Sequence, residues 1–120
     1  MTPDRQSDLA PPFDRDAFLA RLQGDSTLAA TLAELFLREA PKLLEDTRNA
    51  VAAADADALY RAAHALKGSV DNFCAAPAAQ AASRLELMGR TGDLAVAAAA
   101  LRTLELELDR LGPALREITE

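Results

Sequence analysis

Residues 60–73 of this 120-residue chain read YRAAHALKGSVDNF, and the order of apolar and polar side chains in that stretch predicts an amphipathic helix. At about 100° per residue, Leu59, Ala63, Leu66, Val70 and Phe73 fall within about 60° of one another. His64 falls about 160° from Leu66, on the water side. Lys67 and Gly68, three and four residues further on, are its neighbours on that surface. Asp71 lies two turns along nearly the same line, and Tyr60 lies roughly 40° from His64 on the same outer face.

The flanking sequence extends the same pattern in both directions. Residues 1–12 are polar and proline-rich, lack apolar periodicity and read as a flexible leader. Asp14 caps a short helix, Phe13 can staple onto Phe18, and Gly24 closes it. Asp25 or Ser26 begins a long helix with Leu28, Leu32, Phe36, Leu43 and Ala50 on its apolar side. Pro41 is expected to kink or loosen this helix. Asp55 caps the helix that carries His64. Cys74 to Ala76 form a turn, and Pro77 opens a fourth helix with Ala78, Ala81, Leu85 and Met88 inward. Gly89 or Gly92 ends it. Asp93 caps a last helix with Leu94, Ala97, Leu101, Leu104, Leu108 and Leu111 facing the core. Gly112-Pro113 should break or bend that helix before one further turn over Ala114 to Ile118. The expected architecture is all-α: an antiparallel up-down-up-down four-helix bundle with a short N-terminal capping helix, filling residues 13–118.

Composition agrees and narrows the function. Hydrophobic residues make up 50% of the chain and aromatics only 4%, a mixture rich in Ala and Leu that favours helix over sheet. The formal net charge of −6, with no basic block, speaks against a nucleic-acid partner. One cysteine, Cys74, and one histidine provide neither a disulfide framework nor a zinc, haem or di-iron ligand set, so no metal and no cofactor are expected. No long uncharged apolar run or secretory segment is present, which points to a cytoplasmic domain without membrane contact.

Two features of the 60–73 stretch resist a purely structural account. Gly68 stands inside a well-patterned helix, where glycine costs about 1 kcal/mol relative to alanine, in a chain that uses alanine freely. The sole histidine stands beside it, next to a lysine. Imidazole titrates near neutrality, so much of it is uncharged and nucleophilic at pH 7, and a neighbouring ammonium can neutralise phosphoryl oxygens. The plain alternatives are a solvated histidine and lysine, and a glycine that permits close helix packing. Gly68 points away from the predicted core, which favours an approach from outside.

The run His64-Ala65-Leu66-Lys67-Gly68-Ser69 resembles the H-x-L-K-G-S signature of histidine phosphotransfer (HPt) domains. Asn72-Phe73 before a turn, Phe13-Asp14, the Phe36-to-Leu44 stretch around Pro41, and Gly92-Asp93-Leu94 resemble the family's layout over about residues 13–112. The chain departs from the pattern at Cys74, where glycine is usual, and at Ala78 and Ala81, where larger aliphatics are common. The resemblance implies a phosphorelay intermediate that takes a phosphoryl group on His64 through Nε2. Lys67 would steady the phosphoryl group and Gly68 would admit the partner. Glu86, on the following helix, would orient the ring through Nδ1. Ser69 and Tyr60 are supporting candidates: Ser69 bonding back to a carbonyl one turn earlier, and Tyr60 either rimming the docking site or shielding the lysine stem. The implied partners are receiver domains of response regulators or hybrid histidine kinases, met by a monomer. They would bring the metal and most of the transition-state stabilisation. With no Gly-rich nucleotide loop, the chain reads as a carrier and not an enzyme.

The competing reading is a helical-bundle interaction module that binds a signalling partner without carrying phosphate. Leu37 and Leu44 lie outside the main stripe of the second helix, either as a docking patch or as part of a wide core stripe.

Overall fold

The computed structural model describes residues 10–120, and among them the chain forms five helices and no strand. These are α1 (Arg15–Arg21), α2 (Ser26–Ala52), α3 (Ala56–Asp71), α4 (Ala76–Thr91) and α5 (Ala97–Thr119). Residues 1–9 of the expected leader lie outside the described residues. The carbonyl of Ala10 accepts a hydrogen bond from Arg110 in α5. None of the helices among the described residues is long and apolar enough to cross a membrane.

Aspartates start the first three helices. The side chains of Asp14, Asp25 and Asp55 accept hydrogen bonds from the backbone N–H groups of Ala17, Leu28 and Ala58, each at 3.0 Å, satisfying donors that a helix N-terminus otherwise leaves free. The last helix departs from expectation. Asp93 accepts from the Ala95 N–H at 3.2 Å within a turn, and α5 begins only at Ala97, with no side-chain cap on Val96.

The four long helices pack in a closed ring of neighbours, α2 on α3, α3 on α4, α4 on α5 and α5 on α2. Leu59, Ala63, Leu66 and Val70 of α3 are all buried. In α2 the inward line runs through Ala29, Ala33, Phe36, Thr47 and Ala50, while Leu28 is 42% exposed. The expected stripe was displaced there because leucines weigh more than alanines in any hydropathy pattern, whereas the packed surface selects the small residues. Leu37 and Leu44 are half-buried against the core, as a wide stripe requires. Thr47 is buried because its hydroxyl donates to the Leu43 carbonyl at 2.8 Å, which removes the cost of an unpaired polar group.

Neither proline breaks its helix. Pro41 lies within α2 and Pro113 within α5. A helix-interior proline costs about 3 kcal/mol, yet Phe36 and Thr47 are buried on either side of Pro41, and Leu111 and Leu115 on either side of Pro113. Breaking the helix would strip these residues of their packing.

At one end, α1 is held against α3 and its exit turn. Phe18 lies 6.3 Å from Phe13 and 4.9 Å from Phe73, ring centre to ring centre, and Phe36 meets Phe73 at 5.3 Å. The Asp14 N–H donates to the Cys74 carbonyl at 3.0 Å, and Arg21 donates to the Asp71 carbonyl at 2.8 Å. Cys74 itself has φ 56°, a left-handed conformation that explains why glycine suits this turn.

The α2 exit shows the same strain. Ala54 has φ 52°, while the Asp55 N–H reaches the Ala50 carbonyl and the Ala54 N–H reaches that of Val51, the paired bonds of a Schellman end. Ala54→Gly should therefore stabilise the protein by about 0.5–1 kcal/mol, read as a higher urea midpoint at unchanged slope.

Candidate functional site

The α3–α4 interface sets the geometry of the site. A Cβ placed on Gly89 of α4 would lie 2.5 Å from the Tyr60 amide nitrogen and 2.8 Å from the Ala56 carbonyl oxygen. Alanines on both helices, Ala63 of α3 and Ala78, Ala81 and Ala82 of α4, are buried. The backbones can approach this closely only because these side chains are so small. Gly89 therefore does not end α4. Gly92 does, with φ 80° and its N–H on the Met88 carbonyl at 2.9 Å.

Close approach brings Glu86 of α4 to the edge of the His64 surface. The His64 side chain is 67% exposed and that of Glu86 only 5%, and Nδ1 of the ring is hydrogen-bonded to Oε2 of Glu86. An ionised carboxylate only accepts, so Nδ1 is the donor of this bond, and in the neutral ring Nε2 keeps its lone pair. The other Glu86 oxygen, Oε1, faces two cations: Lys67 Nζ at 3.7 Å and Arg90 Nη2 at 3.5 Å. The Tyr60 ring lies 5.8 Å from the imidazole and carries the Arg90 guanidinium over it, also at 5.8 Å. Tyr60 thus lies beside both His64 and Arg90.

Burial of Glu86 disfavours its charge, but the hydrogen bond from His64 outweighs this and holds the carboxyl below its ordinary value of 4.5, with Lys67 and Arg90 adding to the lowering. Gly68 is exposed, and a Cβ built there meets nothing within 4 Å. Its missing methyl leaves the α3 surface flat beside the imidazole.

Of the residues singled out in the sequence, His64, Lys67, Gly68, Tyr60 and Glu86 come together on this face. Ser69 does not. It is half-buried and turns toward α2, lining a groove with Leu32, Leu35, Phe36 and Asn72. Arg90 was not singled out, and Gly89 was read only as a possible end of α4. Arg90 was legible as a Glu86–Arg90 pair four apart on a predicted helix. Gly89 carried the same signal as Gly68, a glycine where alanine would be better.

The comparisons with known proteins agree with the helical fold. A family model described as Hpt domain matches residues 31–114. The chain is similar to the crystal structure of histidine-containing phosphotransfer protein B from Pseudomonas aeruginosa PAO1. The identity is 26% and the TM-score 0.83, over 91% of this chain and 95% of the other. No curated protein sequence matches the chain.

Two outcomes test the construction of the site. Gly89→Ala should destabilise the protein by about 2 kcal/mol, since α4 must shift off α3, and should move the His64 Nδ1 resonance in 15N NMR. Glu86→Gln removes a carboxylate whose folded-state value is depressed. Stability from that charge is fully present above 4.5 and lost as pH falls through the lower folded value. Wild type should therefore exceed Glu86→Gln by about 1 kcal/mol at neutral pH, with the gap closing in acid, as measured by urea denaturation across pH.

Proposed function

Since this chain belongs to the Hpt domain family, we propose that it is a phosphorelay intermediate whose phosphoacceptor is His64, exchanging phosphoryl groups with aspartates of receiver domains. Family membership carries a phosphotransfer role in two-component signalling, and members are phosphocarriers. The single observation behind the choice of atom is the exposed imidazole held at Nδ1 by buried Glu86, with Nε2 outward beside the open surface over Gly68. The same reading takes the four long helices as an antiparallel up-down-up-down bundle with α1 over one end. The ring of helix contacts and the ties of α1 to the α3 exit support it.

In the proposed step, Nε2 attacks the phosphorus of a receiver's aspartyl phosphate. The N–P bond forms as the P–O bond breaks, and the aspartate leaves as a carboxylate. No proton is lost: Nδ1 keeps its hydrogen, and the positive charge that develops on the ring is offset by the Glu86 carboxylate alongside. Lys67 contributes a positive charge one turn from the reacting nitrogen. The receiver brings the phosphorylated aspartate and the metal, and this chain brings the nucleophile and a fitting surface.

Incubation with a phosphorylated receiver should place acid-labile, base-stable phosphate on the wild-type chain and none on His64→Gln, with both folded by circular dichroism. Labelling that persists in the variant would remove His64 from the role. Binding without any phosphate transfer would favour the interaction-module reading. Gly68→Gln should keep or slightly raise stability, by roughly 0.5 kcal/mol, while blocking transfer. Lys67→Ala should slow exchange while costing no more than about 1 kcal/mol of stability, because Lys67 is one of two cations on Glu86 Oε1 and Arg90 remains.

A further inference from the structure

Glu86 holds the imidazole at Nδ1, but a second neighbour of the ring, Tyr60, has no part in the proposed step. Tyr60 stands one turn back on α3, its ring centre 5.8 Å from that of the imidazole and the two planes tilted by 37°. That separation falls within the roughly 4.5–7 Å at which aromatic rings attract one another. Side chains on a helix lean over the turn that precedes them, which brings the imidazole toward residue 60 and away from residue 68. At Gly68 a Cβ would meet nothing within 4 Å, so that position offers the ring no support. Tyr60 itself is closely packed. Its backbone lies under Gly89, where a Cβ would come within 2.5 Å of the Tyr60 amide nitrogen and 2.8 Å of its Cα. Its side chain is half-buried, with the Arg90 guanidinium packed over the ring.

We propose that Tyr60 is a positioning residue for the phosphoacceptor, holding the plane of the His64 imidazole so that Nε2 keeps one direction. The proposal rests on His64 as the phosphoacceptor. The hydrogen bond at Nδ1 fixes one edge of the ring, but an sp² oxygen accepts over a broad range of angles. With that bond alone the ring rocks about its held edge, and Nε2, on the far edge, sweeps an arc. In-line attack needs the Nε2 lone pair aimed at phosphorus, and small misplacements of a reacting group cost rate. A side chain at residue 68 would steady the ring but would also fill the approach that the glycine leaves open. Support from residue 60, one turn the other way, steadies the ring and keeps the approach clear. The aromatic ring of Tyr60 supplies that support, and its hydroxyl is not needed for it.

The test uses 13C,15N-histidine-labelled protein as wild type, Tyr60→Leu and Tyr60→Phe, each shown to be folded by circular dichroism. His64 is the sole histidine, so every imidazole signal is its own. NMR relaxation of the ring carbons reports fast rocking of the imidazole, and the Nδ1 shift reports its bond to Glu86. Potassium phosphoramidate, a small donor that phosphorylates imidazole with release of ammonia, gives the rate of phosphohistidine formation through its 31P signal. In Tyr60→Leu the ring order should fall and labelling should slow about threefold, with the Nδ1 shift unmoved. Tyr60→Phe should restore both. A Tyr60 that only packed α3 against α4 would change the urea midpoint and leave the ring of the folded protein as ordered and as reactive as before. Either a wild-type ring order or a wild-type labelling rate in Tyr60→Leu overturns the proposal, and so does a Tyr60→Phe protein that behaves like Tyr60→Leu. Ring order is read on the unphosphorylated protein without any receiver, so failure of receiver-dependent transfer would count against the relay function and leave this result standing.

Discussion

The contact between α3 and α4 is the constraint from which the site follows. At Gly89 the two backbones lie so close that a single methyl would overlap the Tyr60 amide and the Ala56 carbonyl. Only glycine and alanine allow helices to meet at such range, and the chain supplies them at Gly89, Ala63, Ala78, Ala81 and Ala82. Larger aliphatics at Ala78 and Ala81, as the family commonly has, would pack the same interface by a different compromise. The small residues here give up some buried apolar area per residue. They gain a separation at which a glutamate on α4 reaches a histidine on the outer face of α3.

A carboxylate taken out of water is unfavourable unless its oxygens are matched. Glu86 is matched entirely by the groups of the proposed site: the imidazole N–H on one oxygen, Lys67 and Arg90 on the other. Stability and the proposed function are therefore coupled at this residue. The pairing that makes burial of Glu86 tolerable also fixes the imidazole tautomer and stores positive charge beside it. The partners are mostly exposed while the acid is not, so the cluster has a buried centre and an exposed rim. That arrangement suits a surface that must accept a charged group and give it up again.

Much of this was legible in residue order. The inward face of α3, the outward placement of His64, Lys67 and Gly68, the aspartate caps at Asp14, Asp25 and Asp55, and the Phe13–Phe18 contact all follow from local periodicity and capping chemistry. Other readings failed for identifiable reasons. The α2 stripe was drawn through Leu28 because side-chain hydropathy ranks leucine first, while close packing selected Ala29 and Ala33. Pro41 read as a kink or loosening, and Gly112-Pro113 as a break or bend, because local propensity is all a sequence window contains. Burial on both sides of each proline carried the helices through. Asp93 read as a cap because its spacing suited one, although the chain uses it to shape a turn before α5.

Taken alone, the order of residues determined that α3 is a helix with a buried face and a histidine on the other side, since a 3.6-residue repeat is a property of a single segment. It could not separate Gly68 from Gly89. Both are glycines inside helices, but one has open space beyond it and the other has a neighbouring backbone in contact. Nor could it show that one carboxylate gathers His64, Lys67 and Arg90, because that convergence depends on the distance and rotation between two helices. Those quantities are set by the summed packing of many side chains across the interface, and no local stretch of sequence contains them.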